Sequence, residues 1–133
     1  MHVAWEVLFY QTTGGDSPVE EFLGALSDKA RAKCLAYLRQ LEEHGFDLPR
    51  SVIAKVRGKI WELRPEWGGT EYRFFYVAIV GRRIVVLHAI RKQSQKLKAK
   101  DIEIAETRYH DVLKRLSNET TPPVRQRTDQ KES

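Results

Sequence analysis

The sequence predicts an α+β fold in which an N-terminal strand and two helices pack on an antiparallel β-meander, with a further helix at the C-terminal end of the domain. Three observations support this fold class. Apolar residues recur at helical spacing in the first third of the chain. Three runs rich in β-branched and aromatic residues follow, with glycine-containing turns between them. Helical spacing then returns after the last of these runs.

The N-terminal elements follow from local signals. Residues 5–10 are rich in β-preferring side chains and predict a short strand, and the turn-forming run QTTGGDSP comes next. Pro18 suits the first position of a helix, with the preceding serine or aspartate as its cap. A second, longer helix is predicted to begin at Ser27 and to end at Gly45. Its apolar face consists of Ala30, Cys34, Leu38 and Leu41.

The predicted meander occupies the middle of the chain. Its three strands are expected at about 59–64, 72–80 and 83–92, and the short turns between them favour sequential antiparallel pairing. Residues 100–116 return to helical spacing, which predicts a third helix that packs back on the domain.

Composition predicts one domain over 1–116 and a disordered polar tail over 117–133, where two prolines accompany a single aliphatic residue. In a chain of 133 residues, 41% hydrophobic content is sufficient for a core. The single cysteine, Cys34, cannot form an internal disulfide, and no zinc-site spacing occurs, so no metal or other cofactor is expected. The N-terminus lacks a leader pattern and the apolar runs are too short to span a membrane, so a cytoplasmic protein is expected.

The net charge of +5 favours a polyanionic partner, although many basic proteins bind none. The distribution is more informative, because lysine and arginine cluster at the ends of the predicted strands. Alternate residues of a strand share a face, so Arg73 lies with Phe75 and Val77. We expect helices to cover one face of the sheet. The other face would present Arg73 beside aromatic surface, where its guanidinium can bind two phosphate oxygens.

Three segments in this order carry a family resemblance: RGKIWELR, then GTEYRFFY, then IVVLHAIRKQSQKLK followed by DIEIAETR. Together they resemble the Gp49-like, HigB-type branch of the RelE/ParE toxin superfamily, over about 3–116. The resemblance implies a RelE-like fold, with N-terminal helices on an antiparallel sheet. It also implies metal-independent cleavage of messenger RNA, typically in the ribosomal A site, and a cognate helix-turn-helix antitoxin.

The resemblance further implies attack of a ribose 2′-hydroxyl on the adjacent phosphate, which leaves a 2′,3′-cyclic phosphate. Arg73 matches the arginine of the family's YR motif and is assigned to the transition-state phosphate. Lys59 or Lys92 would transfer protons, and no clear counterpart exists of the late tyrosine that some RelE toxins use. The residues expected to bind the RNA backbone are Lys55, Arg57, Arg64, Arg91 and Lys96.

Three other side chains have both a structural and a functional interpretation. His88 titrates near neutrality and is a candidate catalytic group, but the face that it would share with Ile84, Val86 and Ile90 is apolar and favours a structural role. Aromatic residues can stack on RNA bases. For Trp61 the core is favoured, whereas Tyr72 suits core packing and stacking equally. Cys34 is expected in the core.

The leading hypothesis is therefore an RNA-cleaving toxin that acts on messenger RNA and the ribosome. A ParE-like gyrase inhibitor is the first alternative, because it shares the fold and needs no ribonuclease site. A non-catalytic, phage-derived binding protein is the second. The density of lysine and arginine on the predicted strands favours the nuclease, since a gyrase binder would not require it.

Overall fold

A computed structural model describes residues 4–92, 99–118 and 124–126. Seven strands and three helices follow one another in these ranges, with one short 3₁₀ turn. The elements are β1 (Glu6–Tyr10), α1 (Pro18–Gly24), α2 (Asp28–His44), the 3₁₀ turn (Gly45–Asp47), β2 (Ile53–Arg57), β3 (Ile60–Leu63), β4 (Glu66–Trp67), β5 (Thr70–Ile79), β6 (Arg83–Arg91), α3 (Ala99–Asn118) and β7 (Val124–Gln126).

The strands form one sheet in the order β2-β3-β5-β6-β1-β7, and β4 pairs with the start of β5. β1 runs parallel to β6, and the other paired strands that the structure describes are antiparallel. The N-terminal strand, two helices, antiparallel-rich sheet and late helix confirm the predicted α+β class, and the arrangement is consistent with the RelE-like fold.

Three short strands were not predicted. β2 lies where a loop was expected, and it is an edge strand whose alternating polar residues face solvent. β4 lies within the predicted turn before β5. β7 lies within the predicted tail, and it pairs with β1 through backbone hydrogen bonds, which side-chain composition does not reveal. The rest of that tail beyond α3 lies outside the described residues.

The sheet separates two apolar cores. α1 and α2 pack on one face, where the predicted stripe of α2 is fully or almost fully buried. Burial in this core raises the pKa of the Cys34 thiol to about 12, which leaves it protonated and confirms a core role. α3 packs on the opposite face and contributes Ala105 and Val112. No helix in the described ranges is long and apolar enough to cross a membrane.

A β-bulge in β6 changes which residues face α3. Phe75 pairs with His88 while the next residue, Tyr76, pairs with Val86, so Leu87 is an extra residue in β6. Strict alternation placed His88 on the face of Val86. The bulge instead moves His88 to the α3 face, level with Phe75, and the prediction of a shared face with Val86 is wrong.

Gly45, which ends α2, provides a test of this packing. Its φ of 54° lies in the left-handed region, and a Cβ at this position would overlap the indole nitrogen of Trp5. We expect Gly45→Ala to lower the free energy of unfolding by about 2 kcal/mol or more, through backbone strain and overpacking. The measurement is urea denaturation.

Gly24→Ala is the matched control. Gly24 lies in α1, where an added Cβ would meet no other atom within 4 Å, so alanine there is expected to stabilise the protein by about 0.4–1 kcal/mol. Equal effects of the two substitutions would contradict the packing described for Gly45.

Candidate active site

Arg73, the leading sequence candidate, lies on β5 on the α3 side of the sheet and is only 3% exposed. Its Nη1 donates a hydrogen bond to the carbonyl oxygen of Tyr72 at 2.9 Å, and its Nη2 donates to Oε1 of Glu71 at 2.8 Å. The strand pattern predicted an open face of the sheet that presents Arg73 to solvent. That expectation is wrong, because this face also carries α3 and the guanidinium is enclosed by its own partners.

Glu62 on β3 is the second buried member of this site, at 6% exposure. Its Oε1 lies 3.5 Å from Nε of Arg73, and its Oε2 lies 3.6 Å from Nε of Arg64. Burial raises the pKa of the Glu62 carboxyl, and the neighbouring cations Arg73, Arg64 and Lys92 oppose that shift. Glu62 was not among the residues predicted from the sequence. A single acidic residue within the apolar strand IWEL was the available signal.

Glu71 and Lys92 complete the site at its exposed side. Oε1 of Glu71 lies 3.9 Å from Nζ of Lys92, and the side chains are 43% and 15% exposed, respectively. The hydrogen bond from Arg73 lowers the pKa of Glu71. These five residues form what we call the five-charge cluster, in which three cations face two carboxylates. Its members are Glu62, Arg64, Glu71, Arg73 and Lys92.

Two buried atoms at the centre of the cluster lack a hydrogen bond within the described part of the chain: Oε1 of Glu62 and Nε of Arg73. They face each other at 3.5 Å, close enough for an ion pair but without hydrogen-bond geometry. A buried polar atom without a partner costs roughly 1–3 kcal/mol, and such atoms in native proteins often belong to functional sites. The cluster is therefore the strongest candidate active site in the described residues.

The structure does not bring Lys59 to this cluster. Lys59 is exposed in the turn between β2 and β3, and it lines a surface pocket with Ala78 at the other end of β5. Ala78 is five residues from Arg73, which corresponds to roughly 17 Å along a strand. A role for Lys59 in proton transfer at Arg73 is therefore not supported by the geometry.

The other cations predicted to bind RNA are dispersed. Lys55 lines the same distant pocket as Lys59, and Arg57 pairs with Glu106 on α3 at 3.1 Å. Arg91 is exposed, opposite Tyr72 in the β5–β6 ladder and therefore on the face away from Arg73. Among the predicted backbone binders that the structure describes, only Arg64 joins the cluster. Lys96 lies outside the described residues.

Tyr72 and Trp61 belong to the core on the α1 and α2 side. Tyr72 is 3% exposed and packs edge-on against Phe22, with ring centroids 6.3 Å apart. This position leaves no face of Tyr72 free to stack on a base. Trp61 packs edge-on against Phe46 at 5.2 Å, in agreement with the favoured core interpretation.

His88 is held between the bulge and α3. Its Nε2 lies 2.9 Å from Oδ1 of Asp101, its Nδ1 lies 3.4 Å from Nη1 of Arg108, and its ring stacks on Phe75. Arg108 also donates to the carbonyl of Leu87, the extra residue of the bulge, at 2.8 Å. The predicted wholly apolar environment of His88 is therefore wrong, because bulged β6 presents it to charged residues of α3.

The protonation state of His88 follows from this environment. Burial lowers its pKa, which outweighs the opposing hydrogen bond with Asp101. A neutral ring in which Nε2–H donates to Asp101 and Nδ1 accepts from Arg108 satisfies both contacts. With both nitrogens engaged, His88 connects β6 to α3, which favours the structural interpretation of this residue.

The comparisons with known proteins bear on the class of this site. The family model for phage-derived protein Gp49-like matches residues 21–110, a span that includes the whole five-charge cluster and most of α3. The chain belongs to the Gp49-like family. This family belongs to the RelE/HigB-type toxin family, which confirms the resemblance stated from the sequence. No curated protein matches the chain.

The contacts of His88 predict a pH dependence of stability. Because its folded pKa lies below the unfolded value of about 6.5, the unfolded state binds more protons between the two values. The contribution of neutral His88 to the free energy of unfolding is complete above about pH 6.5, and it is lost as the pH falls through the lowered pKa of the folded state. We expect His88→Gln to lower the free energy of unfolding by about 1–2 kcal/mol at pH 7.5. It should also flatten the dependence of that free energy on pH below pH 6.5.

Urea denaturation between pH 5 and pH 7.5 measures both effects. His110→Gln is the matched control, because His110 is exposed on α3, and it should retain the pH dependence of the unsubstituted protein. If the free energy of unfolding changes equally with pH in His88→Gln and in the unsubstituted protein, the assignment of a buried neutral ring is contradicted.

Proposed function

We propose that this chain is the toxin of a type II toxin-antitoxin system and that it inhibits translation by cutting messenger RNA, typically on the ribosome. Membership of the Gp49-like family supports a toxin. The observation that carries the nuclease assignment is the buried carboxylate of Glu62 facing the buried guanidinium of Arg73 at 3.5 Å. A base and a cation beside one another are two of the three groups that such a cleavage requires.

Glu62 is the general base in this proposal. A carboxyl with a raised pKa is a stronger base than an ordinary glutamate, and burial at the cluster supplies that increase. Its Oε1 has no hydrogen-bond donor within the described residues and can accept the proton of a ribose 2′-hydroxyl. In this role Glu62 replaces Lys59, one of the two lysines that the family resemblance suggested for proton transfer.

Arg73 stabilises the pentacoordinate phosphorane, with Arg64 as a second cation beside Glu62. The contacts of Arg73 with Tyr72 and Glu62 hold its guanidinium before substrate arrives, so little reorganisation is needed during the reaction. Preorganised charge in a site that excludes water stabilises a transition state more than mobile charge in solvent does.

Lys92 is the proposed general acid. It is the partly buried lysine of the cluster and one of the two lysines named from the sequence for proton transfer. Its Nζ lies 3.9 Å from Oε1 of Glu71, which also accepts a hydrogen bond from Arg73. In the reaction the 2′-oxygen bonds to phosphorus and the bond from phosphorus to the 5′-oxygen breaks. The 2′-hydroxyl proton passes to Glu62, and a proton from Lys92 passes to the leaving oxygen. The products are a 2′,3′-cyclic phosphate and a free 5′-hydroxyl.

The proposed partners follow from the same family membership. Messenger RNA in the ribosomal A site is the proposed substrate, and the net charge of +5 favours approach to that polyanion. The proposed inhibitor is a helix-turn-helix antitoxin. In this proposal the protein acts in the cytoplasm, where translation occurs.

Glu62→Gln tests the chemistry. We expect it to lower the cleavage rate by about 100-fold or more, because an amide cannot accept the 2′-hydroxyl proton as a base. The assay adds purified protein to translating ribosomes and maps cuts by primer extension. Detection of 2′,3′-cyclic phosphate ends, and loss of cleavage when the nucleotide 5′ of the cut is 2′-deoxy, identify the nucleophile.

Glu103→Gln removes the same charge from an exposed position on α3 and should leave cleavage unchanged. Full activity of Glu62→Gln would exclude Glu62 as the base. A folded, unsubstituted protein that cuts no RNA with or without ribosomes would contradict the nuclease assignment, and DNA damage without mRNA cleavage would then favour a gyrase inhibitor.

A further inference from the structure

Glu71 differs from the other members of the five-charge cluster because it is a carboxylate placed on the exposed side of two cations. Its Oε1 accepts a hydrogen bond from Nη2 of Arg73 at 2.8 Å and lies 3.9 Å from Nζ of Lys92. We propose that the Glu71 carboxylate occupies the position of an RNA phosphate on Arg73 and Lys92, and that binding of RNA displaces it. This inference rests on the proposed function and identifies a residue that limits access to the same site.

The chemistry of the contacts supports the substitution of one anion for another. An arginine Nη–H and a lysine ammonium are donors that bind carboxylate and phosphate oxygens alike. A phosphate oxygen placed where Oε1 of Glu71 lies would meet the same two donors at the same distances. The site therefore already contains a ligand of the chemical class that it is proposed to bind.

Exposure indicates which of the two carboxylates moves. The side chain of Glu71 is 43% exposed, whereas that of Glu62 is 8% exposed. Glu71 can rotate into water and keep its charge hydrated, but Glu62 has no comparable path. The backbone of Glu71 is held in place, since the amide of Lys92 donates a hydrogen bond to the carbonyl oxygen of Glu71 at 2.8 Å. Displacement thus requires rotation of one side chain only.

Arg73 keeps its position during this exchange. Its Nη1 stays bonded to the Tyr72 carbonyl, and its Nε continues to face Glu62. The cluster carries one excess positive charge with Glu71 in place, and two when that carboxylate has rotated into solvent. An incoming phosphate therefore meets a preformed site with greater positive charge.

Competition by Glu71 has a consequence for ligand choice. An RNA chain makes further contacts through neighbouring phosphates, and these contacts offset the work of displacing Glu71. A single inorganic phosphate lacks them. Both ligands meet the same cost of displacing Glu71, so the native protein should bind a polynucleotide measurably under conditions in which free phosphate does not bind.

Glu71→Gln tests the inference in the full-length protein. The probe is a fluorescent single-stranded RNA with every 2′-hydroxyl methylated, which retains its phosphates but cannot be cut. We expect binding to tighten about tenfold, the usual scale of one charge-assisted contact, in fluorescence anisotropy. We also expect the plot of log affinity against log salt to steepen by about 0.7, as for one added phosphate contact on a single strand.

Glu66→Gln is the matched control. Glu66 lies opposite Glu71 in the β4–β5 pair and is exposed, and the structure shows it no ion pair with another described residue. The two variants change net charge equally on the same hairpin, so long-range attraction contributes equally to both. Glu66→Gln should tighten binding less than about twofold and leave the salt slope unchanged.

The inference is overturned if Glu71→Gln binds no more tightly than the unsubstituted protein, or if Glu66→Gln shows the same gain. Thermal unfolding of both variants confirms that the fold is retained. Because the probe cannot be cut, the result is independent of catalysis. Tighter binding by Glu71→Gln without cleavage of unmodified RNA would contradict the proposed function alone, and cleavage without tighter binding would contradict the role of Glu71 alone.

Discussion

The burial of the Arg73 guanidinium is the constraint around which the candidate site is organised. Arginine remains charged at any pH that a folded protein meets, so its burial requires partners in every direction. The backbone of Tyr72, the buried Glu62 and the half-exposed Glu71 supply them from two strands. Each partner in turn acquires a particular property. The pKa of Glu62 is raised by the burial that the arrangement imposes, and that of Glu71 is lowered by the hydrogen bond it accepts.

A second polar arrangement, at the bulge of β6, determines where α3 lies. The extra residue Leu87 leaves a carbonyl oxygen that Arg108 reaches from α3, and the same shift turns His88 toward Asp101. Phe75 links the two arrangements, since it is paired with Glu62 on one side and with His88 on the other. The helix that covers the face of Arg73, α3, is thus attached at His88, which is separated from Glu62 of the cluster only by Phe75. The contacts that attach α3 and those of the five-charge cluster therefore share β5 and the strands beside it.

The fold class could be predicted from the sequence because its signals are local. The apolar stripe of α2 and the three apolar runs can be recognised from residues that are close together in the sequence. Arg73 was identified from its sequence motif. The rest of the site depends on cross-strand register. Glu62 meets Arg73 only after β3 and β5 are aligned, and Lys92 meets Glu71 only after β5 and β6 are aligned. Glu71 precedes Arg73 by two residues on β5, so alternation alone puts both on one face, but nothing in a basic segment marks its acids. Lys59 shows the converse, because it is next to β3 in sequence but lies far along the sheet from Arg73. The bulge that reorients His88 has no local signature.

The free energy that the cluster costs favours a functional role over a purely structural one. Apolar cores are complete on both faces of the sheet without it, and replacing a buried ion pair by packed apolar residues is often neutral or stabilising. Here the pair is also imperfect, because Oε1 of Glu62 and Nε of Arg73 approach each other without a hydrogen bond within the described residues. Such an arrangement lowers stability by roughly 1–3 kcal/mol for each unsatisfied group. The fold does not require this cost. It is explained if a ribose hydroxyl supplies the hydrogen bond that Oε1 of Glu62 lacks and a substrate phosphate supplies the one that Nε of Arg73 lacks.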